Sequence, residues 1–222
     1  MKFSLPRARV SAEANAAAVT LSSVRIILAS SSPRRHDLLT MAGIAHEVMP
    51  ADVDETHLAG EEPGVYAERV ARDKGAWVAA REPSALIIAA DTIVVVDGLV
   101  LGKPRDVSDA ARMLRLLSGR IHQVRTATAI ALSGRLESAV DIVDVKFREL
   151  THDDIMKYIG TGEPADKAGA YGIQGYGATL VERIEGDFFA VMGLSLYRLT
   201  ELMQRVGVKY EFPSARDAGN GA

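Results

Sequence analysis

The sequence contains no cysteine among its 222 residues. This absence excludes disulfide bonds, zinc–thiolate sites, iron–sulfur clusters and thiol nucleophiles. No apolar run approaches the roughly 20 residues that a membrane-spanning helix needs, so we expect no membrane span. The formal net charge of −3 gives no general attraction to nucleic acid, and we expect no nucleic-acid partner. Any anion that the protein binds must therefore be held by a local group of cations.

Several catalytic motifs are also missing. The five histidines lack the spacing of a metalloprotease, and no G-x-S-x-G nucleophile segment is present. The glycine spacings of a P-loop and of a Rossmann dinucleotide site are absent as well. These absences argue against zinc hydrolysis, serine-hydrolase chemistry and the two common nucleotide-binding motifs.

The composition, with 48% apolar and 25% charged residues, is that of an ordinary globular protein. Residues 1–23 are basic, poor in acids and without the continuous apolar segment of a signal peptide, so we expect a disordered N-terminal extension. An organellar transit peptide is the alternative. Residues 24–208 are expected to form the folded domain and residues 209–222 a flexible tail.

The local patterns predict a mixed α/β fold. The β-branched run of residues 24–29 is typical of a buried strand, and Ser32-Pro33 is a helix start. Asp97-Gly98 predicts a two-residue hairpin turn. Strand segments at 86–90 and 93–96 precede that turn, and long strands flank Ser133-Gly134. Further helices are expected at residues 63 to about 81, 108–117, after Thr151 with a capping box, and 195–206. Strands and helices alternate with hairpins among them, which is the basis of the assignment.

The first candidate site is Ser30-Ser31-Ser32-Pro33-Arg34-Arg35, hereafter the serine-arginine segment. Backbone N–H groups and the positive end of a helix dipole favour an anion at such a helix start, and the three hydroxyls add donors. Arg34 and Arg35 are unfavourable at an empty helix start but suit a bound anion. The alternative is a serine N-cap followed by two solvated arginines.

Asp91 lies in an otherwise apolar segment, where an ionised carboxylate needs a cation or hydrogen-bond donors. The predicted hairpin supplies Lys103. Regular pairing places Thr92 opposite Lys103, whereas a bulge places Ile93 there, and in either register the lysine reaches Asp91. The alternative is that Asp91 caps its own strand end.

Lys74 lies on the apolar stripe of the helix that follows Pro63, together with Val70 and Val78. Such a lysine usually extends its ammonium to solvent, but directed into a cleft it would bind phosphate. The acidic cluster Asp52-Val53-Asp54-Glu55 precedes that helix. Acidic loops are commonly just solvated, but carboxylate oxygens are also the ligands that Mg²⁺ requires.

A loop at residues 169–177, the glycine-rich loop, contains four glycines, two tyrosines and Gln174. Its glycines permit close backbone approach to a ligand, and its side chains are able to stack on and hydrogen-bond a base. The anion site, the two lysines, the carboxylates and this loop together predict metal-assisted attack on a nucleoside phosphate.

Four sequence blocks are distinctive: LASSSPRRHDLL at 28–39, ADTIV at 90–94, LGKPRD at 101–106 and KAGAYGIQG at 167–175, with a weaker VMGL at 191–194. In this order they resemble the Maf family of nucleoside triphosphate pyrophosphatases. The resemblance implies an elongated, two-lobed α/β fold with a mixed sheet and a central cleft, related to inosine triphosphate pyrophosphatases. It also implies a cytoplasmic homodimer that uses Mg²⁺ or Mn²⁺ to hydrolyse a nucleotide to its monophosphate and pyrophosphate.

Site roles follow from the resemblance by position. Asp91 would be the general base that activates water, and Glu55 with Asp91 would hold the divalent cation. Lys74 and Lys103 would bind phosphate oxygens, as would the serine-arginine segment with Ser30, Ser32, Arg34 and Arg35.

Base selection is implied as well. Arg34, Thr92 and Gln174 resemble the subgroup that hydrolyses dTTP and UTP, because the 7-methyl-GTP subgroup typically has an aromatic residue and an acid at the first and last of these positions. An amide matches the mixed donor and acceptor edge of uracil or thymine. Ala190 and Ser195 depart from the family pattern, in which asparagine and proline are usual, and put base or sugar contacts there in doubt.

We therefore expect a dTTP/UTP pyrophosphatase that also acts on modified pyrimidine nucleotides in pool sanitation. Two alternatives stay open. One is a 7-methyl-GTP pyrophosphatase, and the other is a nucleotide-binding regulator linked to arrest of septum formation and cell division.

Overall fold

The computed structural model describes residues 19–212. The elements in chain order are β1 (Val19–Thr20), β2 (Ile26–Leu28), α1 (Pro33–Met41), β3 (Glu47–Val48), α2 (Pro63–Ala79), β4 (Leu86–Val96), β5 (Leu99–Leu101), α3 (Val107–Leu117), β6 (Ile121–Leu132), β7 (Arg135–Phe147), α4 (His152–Gly160), β8 (Val181–Glu185), α5 (Phe188–Met192), α6 (Leu196–Arg205) and β9 (Val208–Lys209). Short 3₁₀ turns lie at Leu21–Ser23, Glu163–Asp166, Ala168–Ala170 and Gly175–Leu180. Residues 1–18 of the predicted N-terminal extension and residues 213–222 of the predicted tail lie outside the described part. The predicted domain bounds of 24 and 208 are too narrow, because Val19–Thr20 pairs with β9, which includes Lys209, and the Tyr210 hydroxyl donates to the Ala42 backbone oxygen at 2.7 Å.

The main sheet has seven strands in the order β3-β2-β4-β6-β7-β8, with β5 also paired to β4. β2 runs parallel to β3 and β4, and the remaining pairs in this sheet are antiparallel. A separate parallel pair joins β1 to β9. The predicted mixed α/β fold is confirmed. No helix within residues 19–212 combines the length and apolarity needed to cross a membrane.

The long strand β4 changes partners along one of its edges. β2 pairs with residues 86–88, and β5 pairs with residues 94–96. Between these two partners, no strand among the described residues pairs with residues 89–93 on that edge, while β6 pairs with β4 along the other edge. The chain leaves β2 and β5 on either side of this interruption, and a cleft opens there.

The two faces of the sheet are packed differently because side chains alternate between them. On one face, α2 covers a single apolar cluster that includes Ala71, Ile87 and Ala129. The other face has two clusters, one around Ile88 with α1 and α6 and one around Val94 with α3 and α4. These two clusters form the cores of two lobes, and the cleft lies between them.

The hairpin prediction is correct at the turn but not beyond it. Asp97 and Gly98 both have positive φ, +50° and +77°, and Val96 pairs with Leu99 as predicted. Pairing ends where Val94 meets Leu101, so Lys103 lies beyond β5 and neither predicted register for it occurs. The strand segments predicted at 86–90 and 93–96 form the single strand β4.

The helix predictions are confirmed with small shifts of their ends. The capping box is present, since the Thr151 side chain accepts from the Asp154 N–H and the Asp154 carboxylate accepts from the Thr151 N–H. Ser195 is the N-cap of α6, and its side chain accepts from the Arg198 N–H at 3.2 Å. Serine thus performs a structural role at a position where we noted a departure from the family pattern.

Candidate active site

The cleft has a volume of about 600 Å³ and is lined by the serine-arginine segment, the middle of β4, Gly102 and Lys103, and parts of residues 166–173 and 191–193. Glu55, Tyr66 and Lys74 also line it, together with the small or apolar residues Ala29, Pro50, Ala51 and Val124. Every predicted site residue except Gln174 lies on this cleft. Gln174 is exposed and follows two lining residues, Gly172 and Ile173.

Lys74 and Asp91 form a buried ion pair on the α2 side of the sheet. Both residues are 8% exposed, and Lys74 Nζ lies 2.9 Å from Asp91 Oδ1. Lys74 projects from the apolar stripe of α2, and its ammonium group points at Asp91 on β4. The alternative, in which this ammonium group extends to solvent, is therefore wrong. Asp91 lies in mid-strand opposite Ala127, which also excludes a role in capping its own strand end.

Glu55 joins this pair from the loop before α2. Its Oε1 lies 3.0 Å from Lys74 Nζ, and its side chain is more than half exposed. The Tyr66 hydroxyl donates to the backbone oxygen of Glu55 at 2.7 Å and so anchors the loop on α2. Burial raises the pKa of Tyr66 above its ordinary value, and the nearby negative charges of Asp91 and Glu55 raise it further. Two carboxylates therefore converge on one ammonium group.

This donor set suits a hard divalent cation. Mg²⁺ commonly takes one or two carboxylates and completes its shell with phosphate oxygens and water. Glu55 and Asp91 already approach a single positive charge to within 3.0 Å. Within residues 19–212 there is no group of three or more His, Asp or Glu side chains able to hold a metal, so the remaining ligands would come from substrate and water.

Arg35 is buried beneath the serine-arginine segment. Its Nε donates to the Gly193 oxygen at 2.8 Å, Nη1 to Ser30 Oγ at 2.9 Å and Nη2 to Thr92 Oγ1 at 3.2 Å. Burial lowers the pKa of its guanidinium below the ordinary value, and the negative charge of Asp91 opposes that shift. Arginine stays protonated in proteins, so a positive charge is fixed inside the cleft wall.

The serine-arginine segment differs from the solvated alternative. Ser32 is the N-cap of α1 by position, but its side chain makes no capping hydrogen bond, and its N–H is donated to Ser30 Oγ at 3.2 Å. Arg35 is tied into the protein, whereas Arg34 is partly buried and lines the cleft. The helix start is therefore open to an external anion.

The glycine-rich loop is folded around Glu163, which sequence reasoning missed. Its carboxylate accepts from the N–H groups of Tyr176 at 2.8 Å and Gly177 at 2.9 Å, and from the Tyr158 hydroxyl at 2.9 Å. A Cβ at position 172, 175 or 177 would come within 3.1 Å of a Glu163 oxygen. The glycines thus make room for this carboxylate, a role that spacing alone does not indicate.

The two tyrosines of the glycine-rich loop have different surroundings, and only Tyr171 lines the cleft. Tyr171 is 5% exposed, its ring packs edge-on against Phe147, and its hydroxyl lies 2.8 Å from His122 Nε2. Tyr176 is 67% exposed and is not part of the cleft lining. Tyr171 thus borders the cleft while most of its ring packs in the core, and Tyr176 lies in solvent. Stacking of a base on Tyr171 stays a prediction.

Lys167 and Asp166 also line the cleft and were not singled out from the sequence. Lys167 Nζ donates to Asp166 Oδ1 and to the Glu163 backbone oxygen, both at 2.7 Å. The signal that could have found Lys167 is its place at the start of the KAGAYGIQG block.

Comparison with known proteins gives consistent matches. A family model described as Maf-like protein matches residues 25–206. The chain is 49% identical over 183 residues to a dTTP/UTP pyrophosphatase of Koribacter versatilis. That alignment covers 82% of this chain and 95% of the relative. It is 50% identical over 182 residues to a protein of the same name from Syntrophomonas wolfei, with coverages of 81% and 96%.

Similarity to solved structures is lower. A nucleoside-triphosphatase / dITP/XTP pyrophosphatase of Mycobacterium abscessus aligns with a TM-score of 0.43 and 16% identity over 82% of this chain and 94% of that one. The family model covers most of the chain, and the sequence relatives align over nearly their whole lengths. The chain belongs to the Maf family.

Proposed function

We propose that the protein hydrolyses nucleoside triphosphates, dTTP and UTP foremost, to the nucleoside monophosphate and pyrophosphate. The observation that carries this proposal is the charge of the cleft. Five basic side chains line it against three acidic ones, in a chain whose formal net charge is −3; the basic ones are Arg34, Arg35, Lys74, Lys103 and Lys167, and the acidic ones are Glu55, Asp91 and Asp166. The names of the curated relatives support the choice of nucleotides.

Three of these cations have no carboxylate partner within residues 19–212. Arg34, Arg35 and Lys103 take part in no ion pair there, although they line one cleft. Arg35 is buried, and a desolvated cation without a counter-ion is costly. Arg34 is half-buried and Lys103 is exposed, and a bound triphosphate would supply negative charge to all three. The open N-terminus of α1 provides further N–H donors on the same wall.

In this proposal Asp91 accepts the proton of the attacking water. Its Oδ1 is held by Lys74, which keeps the carboxylate oriented, while Oδ2 has no hydrogen-bond partner within the described residues. The water oxygen forms a bond to the α-phosphorus as its proton passes to Asp91. The bond from the α-phosphorus to the bridging oxygen breaks, and pyrophosphate leaves with the electron pair. Lys74, Lys103 and Arg34 would stabilise the charge that develops on the phosphate oxygens.

We propose that Glu55 and Asp91 hold Mg²⁺ or Mn²⁺. When bound, such an ion polarises phosphate oxygens and neutralises part of their charge. In this role Lys74 keeps the two carboxylates on the same side of the cleft, and the anchoring of Glu55 by Tyr66 limits how far the loop moves.

Base selection is proposed to involve Arg34, Thr92 and Gln174. Arg34 has only donors, which suit the carbonyl oxygens of uracil and thymine. Gln174 must turn its side chain inward when substrate binds, since it borders the cleft without lining it. The homodimer, the cytoplasmic location and the link to cell division stay predictions. Sedimentation of the full chain checks the first of them.

The test is pyrophosphate release from dTTP, UTP, CTP, GTP and 7-methyl-GTP, with Mg²⁺, with Mn²⁺ and with a chelator. We expect turnover of dTTP and UTP that the chelator abolishes. Asp91→Asn should lower kcat by about 10²–10⁴-fold, the usual contribution of a general base. A preference for 7-methyl-GTP would overturn the base assignment, and binding without turnover would favour the regulator.

A further inference from the structure

Thr126 on β6 lies between the two lobe cores, directly beneath the cleft. It is fully buried, and its Oγ1 lies 2.7 Å from the Ala190 backbone oxygen and 3.0 Å from Thr92 Oγ1. Thr92 in turn lines the cleft and accepts a hydrogen bond from Arg35 Nη2 at 3.2 Å. Four groups thus form one chain of hydrogen bonds from the guanidinium to the carbonyl.

The direction of each proton in this chain is fixed. A carbonyl oxygen only accepts, so Thr126 donates its single hydroxyl proton to Ala190. Thr92 must therefore donate its own proton to Thr126. The guanidinium only donates, so Thr92 accepts from Arg35. The Thr92 hydroxyl has no proton left for a ligand, and one lone pair is its remaining capacity.

We propose that Thr126 is a positioning residue for base selection, because it makes Thr92 an obligatory acceptor on the cleft wall. This inference rests on the proposed function. A pyrimidine that meets Thr92 with a ring N–H is favoured, as uracil and thymine do at N3. Cytosine has a bare lone pair at N3, which faces the Thr92 lone pair without a proton between them.

Replacement of Thr126 by valine tests this with little disturbance of the fold. The Ala190 oxygen keeps the Gly193 N–H as a donor at 3.0 Å, so no buried acceptor is left without a partner. Valine matches the shape of threonine, and the freed Thr92 hydroxyl is then able to rotate and donate into the cleft. Thr126→Ser retains the hydroxyl and serves as the rescue variant.

Thr128 provides a matched control. It is two residues along the same strand, also fully buried, and its Oγ1 has no hydrogen-bond partner within the described residues. It does not line the cleft. Thr128→Val makes the same chemical change and should leave selectivity unaltered.

The experiment measures kcat/KM for UTP, dTTP and CTP with wild type and the three variants. We expect the UTP to CTP ratio to fall about tenfold in Thr126→Val, to recover in Thr126→Ser and to stay at the wild-type value in Thr128→Val. An unchanged ratio in Thr126→Val, or an equal fall in Thr128→Val, would overturn the inference. A wild type that hydrolyses UTP without preference over CTP would also overturn it. A wild type and Thr128→Val that hydrolyse neither UTP nor dTTP would instead refute the proposed function.

Discussion

Replacing Lys74 with methionine separates the role of its charge from that of its stem. Methionine keeps an unbranched side chain for the apolar stripe of α2, but Asp91 loses its ion-pair partner while staying 8% exposed. Removing one member of a buried pair typically costs about 3–5 kcal/mol, because the other charge is left desolvated. For a domain of this size we expect the melting temperature to fall by about 10 °C.

Removing the charge of Asp91 instead should cost less stability. In Asp91→Asn, Lys74 still has Glu55 at 3.0 Å, and the amide oxygen still accepts a hydrogen bond. We expect a loss of about 1 kcal/mol. The double variant removes both buried charges, so it should be more stable than Lys74→Met alone.

Urea unfolding of the two single variants and the double variant measures these terms as a thermodynamic cycle. Lys146→Met is the control, since its pair with Glu182 is exposed and should be worth less than about 1 kcal/mol. Equal and additive losses from Lys74→Met and Asp91→Asn would refute the reasoning, because they would mean that neither charge depends on the other.

Three further changes test other parts of the structure. Burial lowers the pKa of His122 to about 4 from an ordinary 6.5. Between pH 4 and pH 6.5 the unfolded chain therefore binds more protons than the folded protein does. The free energy of unfolding should fall by about 3 kcal/mol as the pH drops from 6.5 to 4. His122→Gln should lack this part of the acid loss, and parallel unfolding curves for the two proteins over that pH range would contradict it. A Cβ at Gly177 would overlap the Gly172 backbone oxygen and lie 2.6 Å from the Tyr158 hydroxyl oxygen. Thermal unfolding of Gly177→Ala should therefore show a loss of about 1–3 kcal/mol in stability, and its KM should rise. Gly160→Ala, where a Cβ would meet open space, is the control and should show neither effect. Arg35→Lys keeps the positive charge, but an ammonium group is unable to reproduce the three hydrogen bonds that the guanidinium donates in different directions. The kcat/KM for UTP should therefore fall at least about tenfold. Unchanged kinetics would show that the charge alone suffices.

Local signals in the sequence predicted the ends of elements well. Ser32-Pro33, Asp97-Gly98 and the capping box at Thr151 each act through backbone geometry within a few residues, and all three occur where predicted. The family blocks contain many of the side chains that line the cleft, such as Arg35, Asp91 and Lys103, but they lack Glu55 and Lys74 and include Gln174, which does not line it. Both kinds of information are carried by short stretches of chain.

Contacts between distant segments were not predictable in this way. Arg35 reaches Gly193 across 158 positions of sequence, and only the assembled lobes bring them together. The predicted strand pairing of Lys103 was wrong for a related reason, because the hairpin ends at Leu101, where the cleft begins. No sequence pattern marks Thr126, because its proposed role depends on the hydrogen bond that its hydroxyl donates to the distant Ala190 backbone oxygen.

The two lobes differ in the parts of the sequence that build them. The cluster around Val94 draws its buried residues from positions 94–190, a nearly continuous stretch. The cluster around Ile88 combines Ile26 and Leu28 with Leu199 and Val208, and β1 pairs with β9 near the two ends of the described chain. Closing a loop of that length is entropically costly and comes late in folding. During synthesis one lobe therefore has its full complement of core residues before the other, whose completion waits for α6 and β9 to leave the ribosome.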